Sequence, residues 1–331
     1  MEGLGVTVPY AGLAAAPRHH DVLFYDADDE MTAAAADHVS AGLAEGKPAL
    51  VVVTAPHAAA IDAALSHRGV NVSRARAAGW YRTEDATQTL ASIMVDGSPD
   101  PARFTRVVGA ALHALPAARP VVHAMGEMVA LLWQQGNVTG ALALECLWNN
   151  LAGHRELALL CAYPTTALST AGLADVNQVC HLHSTVLPPS SYGSAESVGL
   201  DDGAALASDV FVAVPEAVAA ARRLVSKTLT GWGEHHLVWE GSLIMSELAT
   251  NAITHGGSPF RASVERGSDV LCISVEDVGP GLPESRRGSQ DALGGRGVAI
   301  VEELAHRWGC DRIDGGKVFW AELEATSTHG G

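Results

Sequence analysis

The sequence predicts an α/β protein of two domains, and three patterns carry that prediction. Short apolar runs of strand type alternate with helical patterns between His20 and Tyr163, the signature of a parallel sheet covered on both faces. Residues 188–207 are rich in Pro, Ser, Gly and Ala, the composition of a linker. Beyond them a helix with one polar face, Ser246 to Gly256, precedes a strand ending in Asp277-Val278-Gly279-Pro280-Gly281 and a glycine-rich helix start at Gly294-Gly295-Arg296-Gly297.

Composition excludes several classes. At 331 residues the chain can bury two cores, and 48% apolar with 18% charged residues fits a globular protein. A net charge of -16 argues against a nucleic-acid surface, because phosphate contacts need clustered Lys and Arg. No apolar run reaches the ~18 residues that a membrane span needs. The stretch from Met1 to Pro17 lacks the basic start and apolar core of a signal peptide and reads as a flexible lead. An odd count of five cysteines without Cys-x-x-Cys suits a reducing cytoplasm.

In order, His20 to Tyr25 reads as a strand, Met31 to Leu43 as a helix, Pro48 to Val53 as a strand and His57 to Arg68 as a helix. A helix from Pro101 to Leu115, a strand from Pro120 to Met125, a helix from Leu142 to His154 and a strand from Glu156 to Tyr163 follow. Ligands of such sheets bind beyond the carboxyl ends of the strands, where Asp26, Thr54, Glu127 and Tyr163 stand. The loop after Tyr25 is acidic and has no glycine, so it repels phosphate and excludes a P-loop. In the second domain a helix from Pro215 to Leu229 leads through Trp232-Gly233 to the helix at Ser246. Phe260 to Glu265 and Val270 to Val275 form a hairpin. Val298, Val301, Leu304, Ala305 and Trp308 share one face of a further helix.

Met245, Leu248, Ala249, Ala252 and Ile253 make an apolar stripe, and Glu247 and Asn251 share the polar side one turn apart. Alone, that is an ordinary surface helix. Asp277 beside glycines is alone a turn, yet it can also accept a hydrogen bond from an exocyclic amine such as that of adenine. A Gly-rich helix start offers free N–H groups and a positive dipole end to phosphate. The three motifs in this order point to a nucleotide site more strongly than any one of them.

Two resemblances follow from these strings. Gly126-Glu127-Met128-Val129-Ala130-Leu131-Leu132-Trp133, Leu144-Glu145-Cys146-Leu147-Trp148-Asn149, Cys161-Ala162-Tyr163-Pro164 and Cys180-His181-Leu182-His183 resemble the MEDS sensory domain. The likeness covers residues 18–187 as a domain and implies a divergent RecA-like fold that senses an unidentified small molecule. It leaves His20, Glu127, Glu145, Cys161 and His183 as candidate pocket residues. Each has an ordinary alternative: a helical Glu145 as a solvated carboxylate, a strand Cys161 as small core filling. Cys180, His181 and His183 lack the closed set of four donors that structural zinc needs, so no metal is expected among them.

Residues 208–325, followed by a tail at 326–331, resemble the GHKL (Bergerat) ATPase superfamily, in its anti-sigma-factor serine kinase branch. The N-box Ser246 to Ala252, the string Leu304-Ala305-His306-Arg307-Trp308-Gly309 and the last strand Gly315-Gly316-Lys317-Val318-Phe319-Trp320 carry that likeness. It implies ATP and Mg²⁺, with Asn251 holding the ion and Glu247 as the base for an attacking hydroxyl. Asp277 would read adenine in a pocket shaped by Gly279 and Gly281, under a lid of Gly294, Gly295, Arg296 and Gly297. Arg296 reads equally as a phosphate contact or a solvated lid residue. Valine replaces a frequent threonine at Val318, which is expected to weaken nucleotide binding because valine neither donates nor accepts.

The expected function is a cytoplasmic sensory regulator: a small-molecule domain controlling a serine/threonine kinase that phosphorylates an anti-anti-sigma (STAS-type) partner. A sigma factor as a second partner and a homodimer are what the likeness adds. The alternatives are a non-catalytic, ATP-dependent binding module and an orphan histidine kinase with His181 or His183 as acceptor. The second lacks the long heptad helix pair that should precede residue 208.

Overall fold

The computed structural model describes residues 19–116, 121–154, 156–170, 172–193, 205–279 and 295–325. The first half runs β1 (His20–Tyr25), α1 (Asp28–Ala44), β2 (Ala49–Val53), α2 (Ala55–His67), α3 (Val72–Ala77), β3 (Tyr81–Asp85) and α4 (Ala86–Ile93). The short hairpin β4 (Met94–Val95) and β5 (Ser98–Pro99), α5 (Pro101–His113), β6 (Val122–Gly126), α6 (Met128–Gln134) and α7 (Val138–His154) follow. β7 (Leu157–Pro164), α8 (Thr165–Thr170), α9 (Leu173–Leu182) and β8 (Thr185–Leu187) complete it. Among the described residues the strands form a six-stranded sheet, β3-β2-β6-β7-β1-β8, with each pairing parallel.

Alternate residues of each strand enter opposite cores, as the period of two requires. Val22, Phe24, Leu50, Val52, Leu159 and Trp148 pack on one face; Leu23, Tyr25, Val51, Val53, Met31 and Ile61 pack on the other. Burying each such side chain contributes about 1.5–3 kcal/mol, which offsets the entropy of ordering it. Helix starts are pinned where the chain turns: Asp85 accepts from Gln88 N at 2.8 Å, and Asp100 accepts from Arg103 N at 2.7 Å.

The second half runs β9 (Leu206–Phe211), α10 (Glu216–Gly231), α11 (Val238–Asn251), β10 (Phe260–Arg266), β11 (Val270–Asp277), α12 (Gly295–Leu304), β12 (Arg307–Ile313) and β13 (Gly316–Glu324). Its sheet among the described residues is five-stranded and antiparallel, β12-β13-β11-β10-β9. α10 and α11 cross at Gly241, where a methyl group would stand 2.9 Å from Leu229 Cδ1. The α/β expectation for both halves is therefore met, with more strands than the apolar runs indicate.

β3 has one buried residue, Tyr81, at the sheet edge, and β8 is three residues long; neither has an apolar run to announce it. The helix expected to carry Trp308 ends at Leu304 instead. Trp308 belongs to β12, pairs with Ala321 and stacks on Phe319 with ring centroids 5.6 Å apart. The helical spacing from Val298 to Trp308 was coincidental, and pairing with β13 decides the conformation.

The halves meet at Tyr192, in a 3-10 turn from Ser190 to Tyr192 that follows β8. Its hydroxyl accepts from the buried Val212 N–H at 3.1 Å, and its ring lies 5.6 Å from that of Phe211. Arg223 of α10 donates to the Ser191 and Tyr192 carbonyls, each at 2.8 Å. Replacing Tyr192 by Phe keeps the ring but leaves a buried N–H unpaired, a loss of about 1–3 kcal/mol. Hydrogen exchange of Tyr192→Phe is expected to show faster exchange at Val212, with β6 and β7 amides unchanged.

Candidate functional site

The end of α11 is built by packing on one side and chemistry on the other. Gly241, Ile244, Met245, Leu248 and Ala249 are buried, which turns Glu247 and Asn251 to the half-buried side, one turn apart. After Asn251 the helix widens into a π-helical turn, Ala252–Gly256, a distortion that often marks functional positions. Asn251 Nδ2 is buried and has no hydrogen-bond partner among the described residues, so this amide is not tied up within the fold.

Gly256 brings that turn against the end of β11. A methyl group on Gly279 would lie 2.5 Å from Gly256 Cα and 2.9 Å from Asp277 Oδ1. A methyl group on Gly316 would collide with the Asp277 carbonyl. Glycine is required at this corner by close backbone approach. Asp277 itself is buried; its Oδ1 accepts from Gly279 N at 2.8 Å and from Lys317 Nζ at 2.8 Å, while Oδ2 has no hydrogen bond among the described residues. α12 closes the other side. A methyl group on Gly297 would stand 2.6 Å from Glu247 Oε2, so the first turn of this helix rests on the carboxylate. Gly295 and Arg296 open the same turn, whereas Gly281 and Gly294 lie outside the described residues.

Val318 does not occupy the position expected of it. It pairs with Glu276, and the side chains of β13 that share the buried face with Asp277 are Lys317, Phe319, Ala321 and Leu323. Strand alternation puts Val318 on the opposite face, so its lack of polar atoms is not felt at Asp277. Lys317 is the residue that sequence reasoning missed. Its signal was its phase, since a lysine in step with Phe319 and Ala321 has to meet a buried partner.

The five candidate pocket residues of the first half divide into two places. His20, Glu145, Cys161 and His183 converge in the layer between the sheet and α7, all fully or nearly buried, with their donor atoms within 4.8 Å of one another. The Cys161 thiol donates to Glu145 Oε2 at 3.3 Å, and the Tyr163 hydroxyl donates to Oε1 at 2.7 Å. Burial alone would raise the Glu145 pKa, but His183 and His20 outweigh it and hold the carboxyl well below the usual range. Burial, with the Glu145 charge added, pushes the Cys161 thiol and the Tyr163 phenol well up. Cys180 and His181 stay outside the cluster. The residues that do surround His183 arrive from β1, α7 and β7 rather than from its neighbours in sequence.

Glu127 stands apart from that cluster. It accepts from Thr54 N and from His57 Nδ1, the latter at 2.5 Å. Together with Tyr25, Asp26, Asp28 and Gln134 they line a cleft of about 400 Å³ at the carboxyl ends of β1, β2 and β6. Asp26, Thr54 and Glu127 thus stand where the strand-end rule placed them, and Tyr163 turns inward to Glu145. Partial burial would lower the His57 pKa, yet the hydrogen bonds and charges of Glu127 and Asp28 raise it overall.

Comparison with known proteins agrees with this division. Residues 19–183 match MEDS, the MEthanogen/methylotroph, DcmR Sensory domain, and residues 211–322 match the histidine kinase-like ATPase domain. The chain is also similar to the signal transduction histidine-protein kinase AfsQ2 of Streptomyces coelicolor, 36% identical over 101 residues. That stretch is 24% of this chain and spans 18% of that kinase's length. Among the described residues no helix is long and apolar enough to cross a membrane. The chain joins a MEDS sensory domain to a histidine kinase-like ATPase domain.

Proposed function

We propose that this protein is a signalling regulator whose MEDS domain, on binding a small molecule, controls an ATP-dependent serine/threonine kinase acting on an anti-anti-sigma (STAS-type) partner. A sigma factor is a second partner in this reading, and the working unit is a homodimer. The observation that carries it is the Glu247–Asn251 pair on α11 with the start of α12 resting on Glu247. Bound ATP with Mg²⁺ supplies the transferable phosphoryl group. Asn251, on the half-buried side of α11 one turn from Glu247, would hold the ion through its side-chain oxygen. Glu247 would orient the attacking serine hydroxyl and take its proton. Asp277 Oδ2 would accept the adenine amine, while Lys317 and Gly279 N fix the other oxygen. Gly295 to Gly297 supply backbone N–H groups at a helix start, which suits phosphate.

The kinship with a histidine kinase supports a second reading. The acceptor it needs is poorly served here. His183 is buried against Glu145, and His181 sits on the ten-residue α9. Acid-labile phosphate on His181 would favour that reading; acid-stable phosphate on a partner serine would favour the first.

Three outcomes test the site. With labelled ATP, Mg²⁺ and a candidate partner, Glu247→Ala is expected to abolish phosphotransfer while nucleotide binding persists; normal transfer would sink the assigned role. Asp277→Ala removes a hydrogen bond from a charged acceptor, about 1.5–3 kcal/mol, so calorimetry should show ATP binding weakened ~10–100-fold. In the cleft, an NMR titration should find His57 protonated to a higher pH than a free imidazole, and Glu127→Gln should bring it down. The sign follows from linkage: a raised histidine pKa stabilises the fold at pH below its ordinary value, and this contribution fades as pH rises through the raised one.

A further inference from the structure

The buried cluster of the MEDS domain has the chemistry of a metal centre. Two histidines, one cysteine and one glutamate each aim one donor atom at a common point, and all four side chains are out of water. Among the described residues, His183 Nε2 is a buried atom without a hydrogen-bond partner, 3.5 Å from Glu145 Oε2. A ring nitrogen left unsatisfied in an apolar layer is costly unless something binds it.

The histidine tautomers are set from outside the cluster. Asn149 Nδ2 donates to the Leu182 carbonyl at 3.0 Å, which makes its Oδ1 the acceptor for His20 Nδ1 at 2.6 Å. His183 Nδ1 donates to the Val179 carbonyl at 2.7 Å. Both rings therefore keep a proton on Nδ1 and turn Nε2 inward as the nitrogen open to a metal, the arrangement that metal-binding histidines show. Tyr163 similarly holds the outer oxygen of Glu145.

Four of the six donor–donor spacings are close to those of a tetrahedron, and all four donor atoms lie within 4.8 Å of one another. Donors at zinc bond lengths of about 2.0–2.3 Å stand roughly 3.3–3.7 Å from each other. Here His20 Nε2 lies 3.2 Å from Cys161 Sγ and 3.4 Å from Glu145 Oε2, and Cys161 Sγ lies 3.3 Å from Glu145 Oε2. Charge also balances, because a divalent ion with one thiolate and one carboxylate is neutral overall and so tolerates burial. A donor set of sulfur, two imidazoles and one carboxylate suits zinc and excludes magnesium or calcium, which take oxygen donors.

We propose that His20, Glu145, Cys161 and His183 bind one zinc ion inside the MEDS domain, with Asn149 as the positioning residue. The Cys161 sulfur bonds the metal as its proton is released to water, and no electron is transferred.

Metal analysis of the purified full chain is expected to give one zinc per chain, or uptake of one by the chelator-stripped protein. Cobalt in its place should show a thiolate-to-cobalt band and the intense visible bands of tetrahedral coordination. Cys161→Ser should lose the thiolate band, and Asn149→Ala, which keeps all four ligands, should weaken metal binding ~10–100-fold. A stripped, folded chain that takes up neither metal overturns the proposal. So does cobalt binding without a thiolate band, which would mark surface histidines, or Asn149→Ala with unchanged affinity. If Cys161→Ser does not fold, the cobalt spectrum and Asn149→Ala still decide.

Discussion

A carboxylate taken out of water has to be met by donors, and each half of the chain is organised around one that is. Glu145 sits in an apolar layer with a phenol, a thiol and two imidazoles turned toward it. Asp277 ends a strand against a lysine and a backbone N–H. Neither arrangement is a good source of stability, since desolvating charges costs about as much as pairing them returns. Both are sources of position. The groups packed around Glu145 fix where β1, β7, α7 and the end of α9 stand, and the glycines around Asp277 fix how closely the π-helical turn of α11 approaches β11.

The same two-residue device occurs in both halves with opposite surroundings. Glu145 and Asn149 lie four apart on α7, as Glu247 and Asn251 do on α11. On α7 both neighbouring faces are covered, so the pair turns inward and its amide orients His20. On α11 the pair stays half-buried, with an amide atom free and the carboxylate under the first turn of α12. Spacing along a helix tells that a carboxylate and an amide share a face; only packing tells whether that face meets protein or an opening.

That distinction sets what could be read from residues alone. The central strands were legible because both their faces are buried, as in the run Ala49–Val53. β3 and β12 were not, because edge strands need no continuous apolar run and their partners lie elsewhere in the chain. Glu247, Asn251 and Asp277 stood out through local spacing and turn chemistry. His20, Glu145, Cys161 and His183 were named through the family likeness, with Glu127 among them; that the four form a cluster apart from Glu127 was not legible, since they come from distant positions and meet only after the sheet has formed. Val318 misled for a simpler reason: a shift of one residue along a strand changes the face, and Lys317 holds the place that matters.

The join between the halves is a continuous run of contacts from the cleft to the ATPase sheet. Tyr192 follows the last strand of the MEDS sheet and packs on Phe211 of β9, and Phe211 stacks on Phe260 of β10 with centroids 5.4 Å apart. Phe260 pairs in register with Asp277 on β11. Ser190 N and Ser191 N, in the same turn, donate to Glu30 and Asp26, and Asp26 borders the cleft that holds Glu127 and His57. Asp26 thus faces both the cleft and the turn, and the turn is held just past the end of β9 through the Val212 N–H. Contiguity alone is not coupling, which requires an element with two arrangements that both sites bias. The Ser190–Tyr192 turn is suited to be that element, because it is short, sits at the joint, and is anchored at one end by acidic groups of the cleft and at the other by the edge strand of the ATPase sheet.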